Sequence, residues 1–202
     1  MGKLAAYIET LGNLRPLRAW LDKDCAGPSP AYMKRRVLAR NAAPDSVWIE
    51  TGTFLGETTR FLAGFSRQVY SIEPDGRLFE KARANTRTYP NISVLHGSSE
   101  ALFSGLCDKL EGNASFWLDG HYSAENTYQG SCDTPIRDEL AHIAEHLGRL
   151  GKISVMVDDV RCFDPEIPEY AAYPTRDWLV DWARSQKLKW HIEHDIFIAR
   201  NF

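Results

Sequence analysis

Four stretches of the sequence place chemically useful residues where the chain turns. The first reads Glu50-Thr51-Gly52-Thr53-Phe54-Leu55-Gly56-Glu57. Gly52 has no Cβ, so the chain can leave a strand sharply there and approach a ligand closely. Gly56 opens the helix that follows, and the first amides of that helix point back towards the turn. The spacing G-x-x-x-G is neither the G-x-G-x-x-G of dinucleotide sites nor a phosphate-gripping loop ending in G-K-[ST]. The two glycines therefore serve either a ligand or the turn alone. The second stretch ends at Glu73, where an acidic side chain can bridge two ribose hydroxyls or simply face water. The third and fourth read Leu118-Asp119-Gly120-His121-Tyr122 and Val157-Asp158-Asp159-Val160. They concentrate carboxylates and an imidazole, the groups that move protons and bind hard cations.

A fifth pattern is discounted. His142-Ile143-Ala144-Glu145-His146 fits the H-x-x-E-H arrangement of some zinc proteases. Both imidazoles share a helix side, but the apolar stripe of Leu140, Ile143, Leu147 and Leu150 points elsewhere, which predicts a solvated face. Cys25, Cys107, Cys132 and Cys162 are scattered without a C-x-x-C pair, as expected of reduced thiols. His191 and His194 receive no role.

From residue 46 onward, short β-rich runs alternate with helical stretches. Strands are expected at 46–51, 68–73, 92–96, 114–119 and 153–159, and helices at 57–65, 75–88, 99–110 and 135–150. This alternation predicts an α/β fold, a doubly wound and mostly parallel sheet with helices on both faces. After a helix at 176–185, the runs 189–192 and 195–200 are separated only by Glu193 and His194. So short a gap allows a hairpin but no crossover, so the sheet should end on an antiparallel strand. Residues 120–134 and 161–174 form loops after strand ends, where open α/β sheets hold their ligands. Residues 1–45 read instead as three helices, at 5–11, 14–21 and 31–41, broken at Gly12-Asn13 and at Gly27-Pro28-Ser29-Pro30.

A strand, E-x-G-x-x-x-G, a helix and then an acidic strand end resemble the class I S-adenosylmethionine-dependent methyltransferases over about residues 46–200. That resemblance implies a Rossmann-like seven-stranded sheet and the methyl donor as cofactor. It sets Glu50, Gly52, Thr53, Phe54 and Gly56 against the donor, with Glu50 and Gly52 at its methionine part. Glu73 and Pro74 would lie at its ribose and Ser98 and Ser99, after Gly97, at its adenine side, with Asp119 also in contact. In the usual sheet order of the family the fourth and fifth strands are neighbours, about 4.8 Å apart. Asp119, Asp158 and Asp159 would then converge. Like charges so close are costly unless a cation or a proton neutralises them, and oxygen-only ligands suit Mg²⁺. This resembles the metal-dependent, macrocin-type sugar O-methyltransferases, which have D-G-D after the fourth strand and D-D after the fifth. Here His121 stands in place of the second acid of D-G-D. By resemblance it would be the general base for an acceptor hydroxyl, with Asp119 beside it; otherwise it orients the loop. The carboxylates either bind the ion or form a hydrogen-bonded, metal-free site.

The 202 residues suit one domain, which we divide into a helical cap at 1–45 and a donor-binding domain at 46–202. Lys plus Arg number 24 and Asp plus Glu 27, a net charge of −3 that argues against a nucleic-acid partner. No apolar run approaches the roughly 18–20 residues that cross a bilayer, and charges interrupt the first thirty residues. The expectation is a soluble, cytoplasmic enzyme with a small-molecule acceptor, or one bound at the interface of a homo-oligomer. Lys34, Arg35, Arg36 and Arg40 form a basic cluster in the cap. It is expected to be a solvated face, or else a cover whose cations meet an acidic or phosphorylated substrate. Three alternatives remain: a metal-independent methyltransferase, a non-catalytic protein that keeps the nucleotide cleft, and, least favoured, a nicotinamide oxidoreductase.

Overall fold

The computed structural model describes residues 14–119 and 134–202. Seven strands form one sheet: β1 (Val47–Thr51), β2 (Gln68–Glu73), β3 (Ile92–His96), β4 (Ala114–Leu118), β5 (Ile153–Val157), β6 (Lys189–Glu193) and β7 (Ile196–Arg200). Their order across the sheet is β3-β2-β1-β4-β5-β7-β6. The pairs among β1 to β5 are parallel, and β7 is antiparallel to both β5 and β6. The chain's last strand is thus the antiparallel one, as expected, but it lies inside the sheet and β6 forms the edge. The hairpin turn is His194-Asp195, one residue later than expected, with both residues at positive φ. That geometry matches the twist of the flanking strands.

The helices are α1 (Leu14–Leu21), α2 (Ala31–Asn41), α3 (Glu57–Ala63), α4 (Gly76–Thr86), α5 (Ser99–Cys107), α6 (Ile136–His146) and α7 (Arg176–Ser185). Alternation along each strand sorts the core onto two faces. Ile49, Phe116, Val155 and Phe197 meet Phe103 of α5, Leu140 and Ile143 of α6 and Leu179 of α7 on one side. Their neighbours Trp48, Trp117, Met156 and Ile198 meet Val37 and Leu38 of α2 and Leu62 of α3 on the other. Side chains immediately before two of the helices supply their caps. Asp75 accepts from the amides of Arg77 and Leu78 at the start of α4 (2.8 and 3.0 Å), and Thr175 accepts from Trp178 at the start of α7.

Helix α2 is part of this core. Val37 and Leu38 are fully buried on the sheet face made by Trp48 and Ile198. Side chains of α2 also reach other elements: Arg35 pairs with Glu57 at the first turn of α3 (3.0 Å), and Arg40 pairs with Glu193 of β6. Leu38→Ala should therefore lower the unfolding free energy by about 2–5 kcal/mol, the usual cost of truncating a buried leucine, read from urea unfolding with an unchanged slope.

Candidate functional site

The carboxyl ends of β1, β2 and β3 carry the glycine turn and two buried acids. Gly52, Phe54 and Gly56 all have positive φ (84°, 52° and 76°), so the chain coils tightly between β1 and α3. Phe54 is not a glycine, and a backbone held in this region is a strained feature that the surroundings must fix. Glu73 supplies that restraint: one carboxylate oxygen accepts from the Phe54 amide (2.7 Å) and the other from the Asp75 amide (3.0 Å). Its residue is only 4% exposed, so the picture of a strand-end charge facing water fails. Burial pushes its pKa up, against the pull of the two amides. The Phe54 side chain is exposed and lines a cleft of about 330 Å³ with Leu55, Asp75, Arg77, Leu78 and Lys81. A Cβ on Gly56 would press on Thr86 of α4 (3.0 Å), so close helix packing also requires that glycine.

Glu50 lies wholly inside. Its Oε2 accepts from the hydroxyls of Thr59 (2.6 Å) and Ser71 (2.7 Å), while Oε1 is buried with no hydrogen-bond partner. Ser99 Oγ, after β3, is likewise buried and unpartnered. Orphaned buried polar atoms are rare and call for an explanation such as a ligand. Thr51 Oγ1, at the end of β1, is a third, and the three fit a polar ligand lying across the ends of β1 to β3. Burial raises the Glu50 pKa to about 7, with the two hydroxyls pulling down and the Glu73 charge adding to the rise. Thr59 and Ser71 were invisible in the sequence, because only the fold brings them to Glu50. Pro74 and Ser98 border this region, and Ser98 occupies the N-cap of α5 without a side-chain cap bond.

The other half of the edge is acidic. The parallel ladder continues past β4 and β5, with Asp119 N bonded to Thr51 O (3.2 Å) and Asp158 N to Leu118 O (3.0 Å). Asp119, Asp158 and Asp159 therefore converge as expected, one oxygen from each lying within 4.8 Å of the others. Asp159 takes a left-handed backbone (φ 54°, ψ 48°), a second strained residue at the same edge. His121 and its neighbours at 120–133 lie outside the described residues, so its role as a base is untouched by these observations.

A cation from α2 enters this cluster. Lys34 Nζ lies 2.5 Å from Asp158 Oδ2 and 3.1 Å from Asp159 Oδ1. Arg161 Nη1 lies 2.6 Å from the same Asp159 oxygen and also pairs with Asp195 of the hairpin turn. Burial pulls the Lys34 pKa down, but the charges of Asp158, Asp159 and Asp119 outweigh it and hold the ammonium above the ordinary lysine value. The expectation of a solvated basic face thus fails for Lys34 and Arg35. Their partners are more than twenty residues away in sequence, and spacing within a helix cannot reveal such contacts. The donor set alone has the chemistry for Mg²⁺. However, a divalent ion at this point would stand against an ammonium already bonded to two of the three carboxylates. With Lys34 in this place the residues do not fit the ion.

His146 and His194 are tied into the fold. His146 has its ring nitrogens 2.7 Å from His142 O and 2.9 Å from Asp108 Oδ1, and among the described residues the H-x-x-E-H imidazoles join no cluster of three metal-ligating side chains. His194 packs edge-on against Trp20, with ring centroids 5.0 Å apart. Cys107 is buried and its thiol pKa is pushed up to about 12, which keeps it inert.

The strand order is that of a Rossmann-like fold with one antiparallel strand, a fold this chain shares with solved methyltransferases. No protein-family model matches the chain, and no curated protein sequence matches it. Solved structures do. A candidate methyltransferase from Streptococcus mutans in complex with SAH is 17% identical, with a TM-score of 0.52, over 87% of this chain and 98% of that one. The N-methyltransferase NodS from Bradyrhizobium japonicum is 14% identical, with a TM-score of 0.54, over 83% and 93%. A candidate rRNA methylase from Clostridium thermocellum is 9% identical, with a TM-score of 0.53, over 87% and 97%. At these identities the likeness is one of fold.

Glu50 gives the site a pH signature. The burial penalty falls on its ionised form, so it is absent below the unfolded carboxyl value of 4.5 and complete above about 7. Stability supplied by the protonated form is lost as the pH rises through that window. Relative to Glu50→Gln, the wild type should lose about 3 kcal/mol between pH 4.5 and 8, read from urea unfolding at each pH. Parallel profiles would show that Glu50 does not titrate there.

Proposed function

We propose that this chain transfers the methyl group of S-adenosylmethionine to a hydroxyl of a small molecule, with a sugar or glycoside as the acceptor class. Residues 46–202 would bind the donor and residues 1–45 would form the cap. The observation that carries the reading is the pair of buried acids around the Gly52 turn. Glu50 keeps an unpaired oxygen where a donor's amino group would lie, and Glu73 keeps a lone pair on each oxygen for ribose hydroxyls. Gly52, Thr53 and Phe54 supply close backbone approach; Pro74, Ser98 and the unpartnered Ser99 hydroxyl would border the ribose and adenine.

The donor, when bound, supplies an electrophilic methyl on a sulfonium. The chain's part is to orient the acceptor and take its proton. Asp119 follows the central strand β4, between the donor turn and the acid cluster, and so stands where the two reactants would meet. His121 is the candidate base, since an imidazole accepts a proton near neutral pH. The resemblance also implies Mg²⁺ at Asp119, Asp158 and Asp159. Lys34 among these carboxylates favours the second reading, a metal-independent methyltransferase on the same fold. A net charge of −3 supports a small acceptor over the RNA named for the Clostridium neighbour. No described helix is long and apolar enough to cross a membrane, in keeping with a cytoplasmic enzyme.

Titration calorimetry with S-adenosylmethionine tests the reading. One equivalent should bind. Glu73→Gln should weaken binding roughly tenfold to a hundredfold, the range for hydrogen bonds to a charged group. A folded wild-type chain that fails to bind the donor would overturn the proposal.

A further inference from the structure

Lys34 is set by the core of the protein. Its helix, α2, carries the fully buried Val37 and Leu38 one turn further on, so the point from which the side chain departs is fixed by packing on the sheet. From there Nζ reaches across to the ends of β4 and β5, a sequence separation of 124 to Asp158. Asp158 is 1% exposed, and its two oxygens are both engaged: Oδ1 accepts from the Asp159 amide (2.8 Å) and Oδ2 from Lys34 (2.5 Å). Asp159 Oδ1 accepts from Lys34 (3.1 Å) and from Arg161 (2.6 Å). Among the described residues, the ammonium and guanidinium bonded to Asp158 and Asp159 come from two separate elements, α2 and the turn after β5.

We infer that Lys34 is the resident cation of this carboxylate cluster: its ammonium takes the place a divalent ion would hold among Asp119, Asp158 and Asp159. A buried carboxylate needs a charged partner or a proton, and here a covalently attached ammonium provides the partner. Mg²⁺ demands near-octahedral oxygen ligation at about 2.0–2.1 Å and gives up water reluctantly. It would have to displace Lys34 into a layer where the helix has little freedom to withdraw it. Lys34 is then a positioning residue that holds Asp158 and Asp159 in their strained turn and keeps the acceptor edge neutralised without metal. The inference deepens the methyltransferase reading, on which it rests only for the purpose given to the cluster.

Manganese, observed by its paramagnetic resonance signal, reports ion binding directly and is titrated without methyl donor. Failure here is therefore distinct from failure to bind donor. The wild type should show no stoichiometric site, whereas Lys34→Ala and the similarly sized Lys34→Met should each gain one, at least tenfold tighter than any wild-type binding. Asp158→Asn added to either variant should abolish the gain. Circular dichroism establishes that each variant is folded, and the methionine variant keeps the test open if the alanine variant unfolds. A stoichiometric wild-type site unaffected by the Lys34 variants would overturn the inference. So would folded variants that gain no ion, because the ammonium would then not be holding an ion's place.

Discussion

Most of the molecule's organisation follows from the burial of carboxylates along one edge of a parallel sheet. Glu50, Glu73 and Asp158 are each no more than 4% exposed, and Asp119 and Asp159 stand beside them. Removing such groups from water costs several kcal/mol apiece unless each is neutralised or hydrogen-bonded. The structure meets that cost differently at each position. Glu50 is surrounded by hydroxyls and pushed towards its protonated form, Glu73 accepts two backbone amides, and Asp158 and Asp159 receive an ammonium and a guanidinium. The edge is thereby divided into a half that keeps unpaired acceptors and a half whose charge is already answered.

These devices also hold the backbone where it is least relaxed. Phe54 and Asp159 both adopt the left-handed region that L-residues avoid, and each is held by a charged side chain at the edge. The Phe54 amide is held by Glu73, and the carboxylate of Asp159 by Lys34 and Arg161. Arg161 in turn binds Asp195, whose carbonyl accepts from Val160, so the β6–β7 hairpin turn is fastened to the turn after β5. Electrostatic compensation and turn geometry are one network. Removing a partner would leave a charge unanswered and a strained turn unsupported together.

The strands were legible because each carries a local signal. The alternation that separates Trp48 from Ile49 and Trp117 from Phe116 appears in the sequence as β-rich runs, and 68–73 and 92–96 needed no adjustment. The acids at the strand ends were legible for the same reason, since a parallel sheet lines up its carboxyl ends. What stayed hidden depends on contacts between distant segments. The position of β7 inside the sheet, the hydroxyls of Thr59 and Ser71 around Glu50, and the partners of Lys34 and Arg35 are set by packing. A basic cluster on a helix reads as solvated wherever no sequence pattern says which neighbours the helix will meet. His121 lies outside the described residues.

Helix α2 shows why the cap and the sheet are best considered together. Its apolar side completes the core on the Trp48 face, while adjacent residues reach opposite halves of the edge: Arg35 the first turn of α3 below the donor loop, and Lys34 the acid cluster. A helix anchored in this way cannot shift without disturbing both charge pairs. Its buried face fixes where the ammonium sits, and the ammonium engages Asp158 and Asp159. Asp119, just after the central strand β4, is then the acid at the boundary between the two halves, with the buried acids Glu50 and Glu73 on one flank and compensated charges on the other. Under the proposed function the donor and acceptor sites must abut, and the end of β4 is where this edge would bring them together.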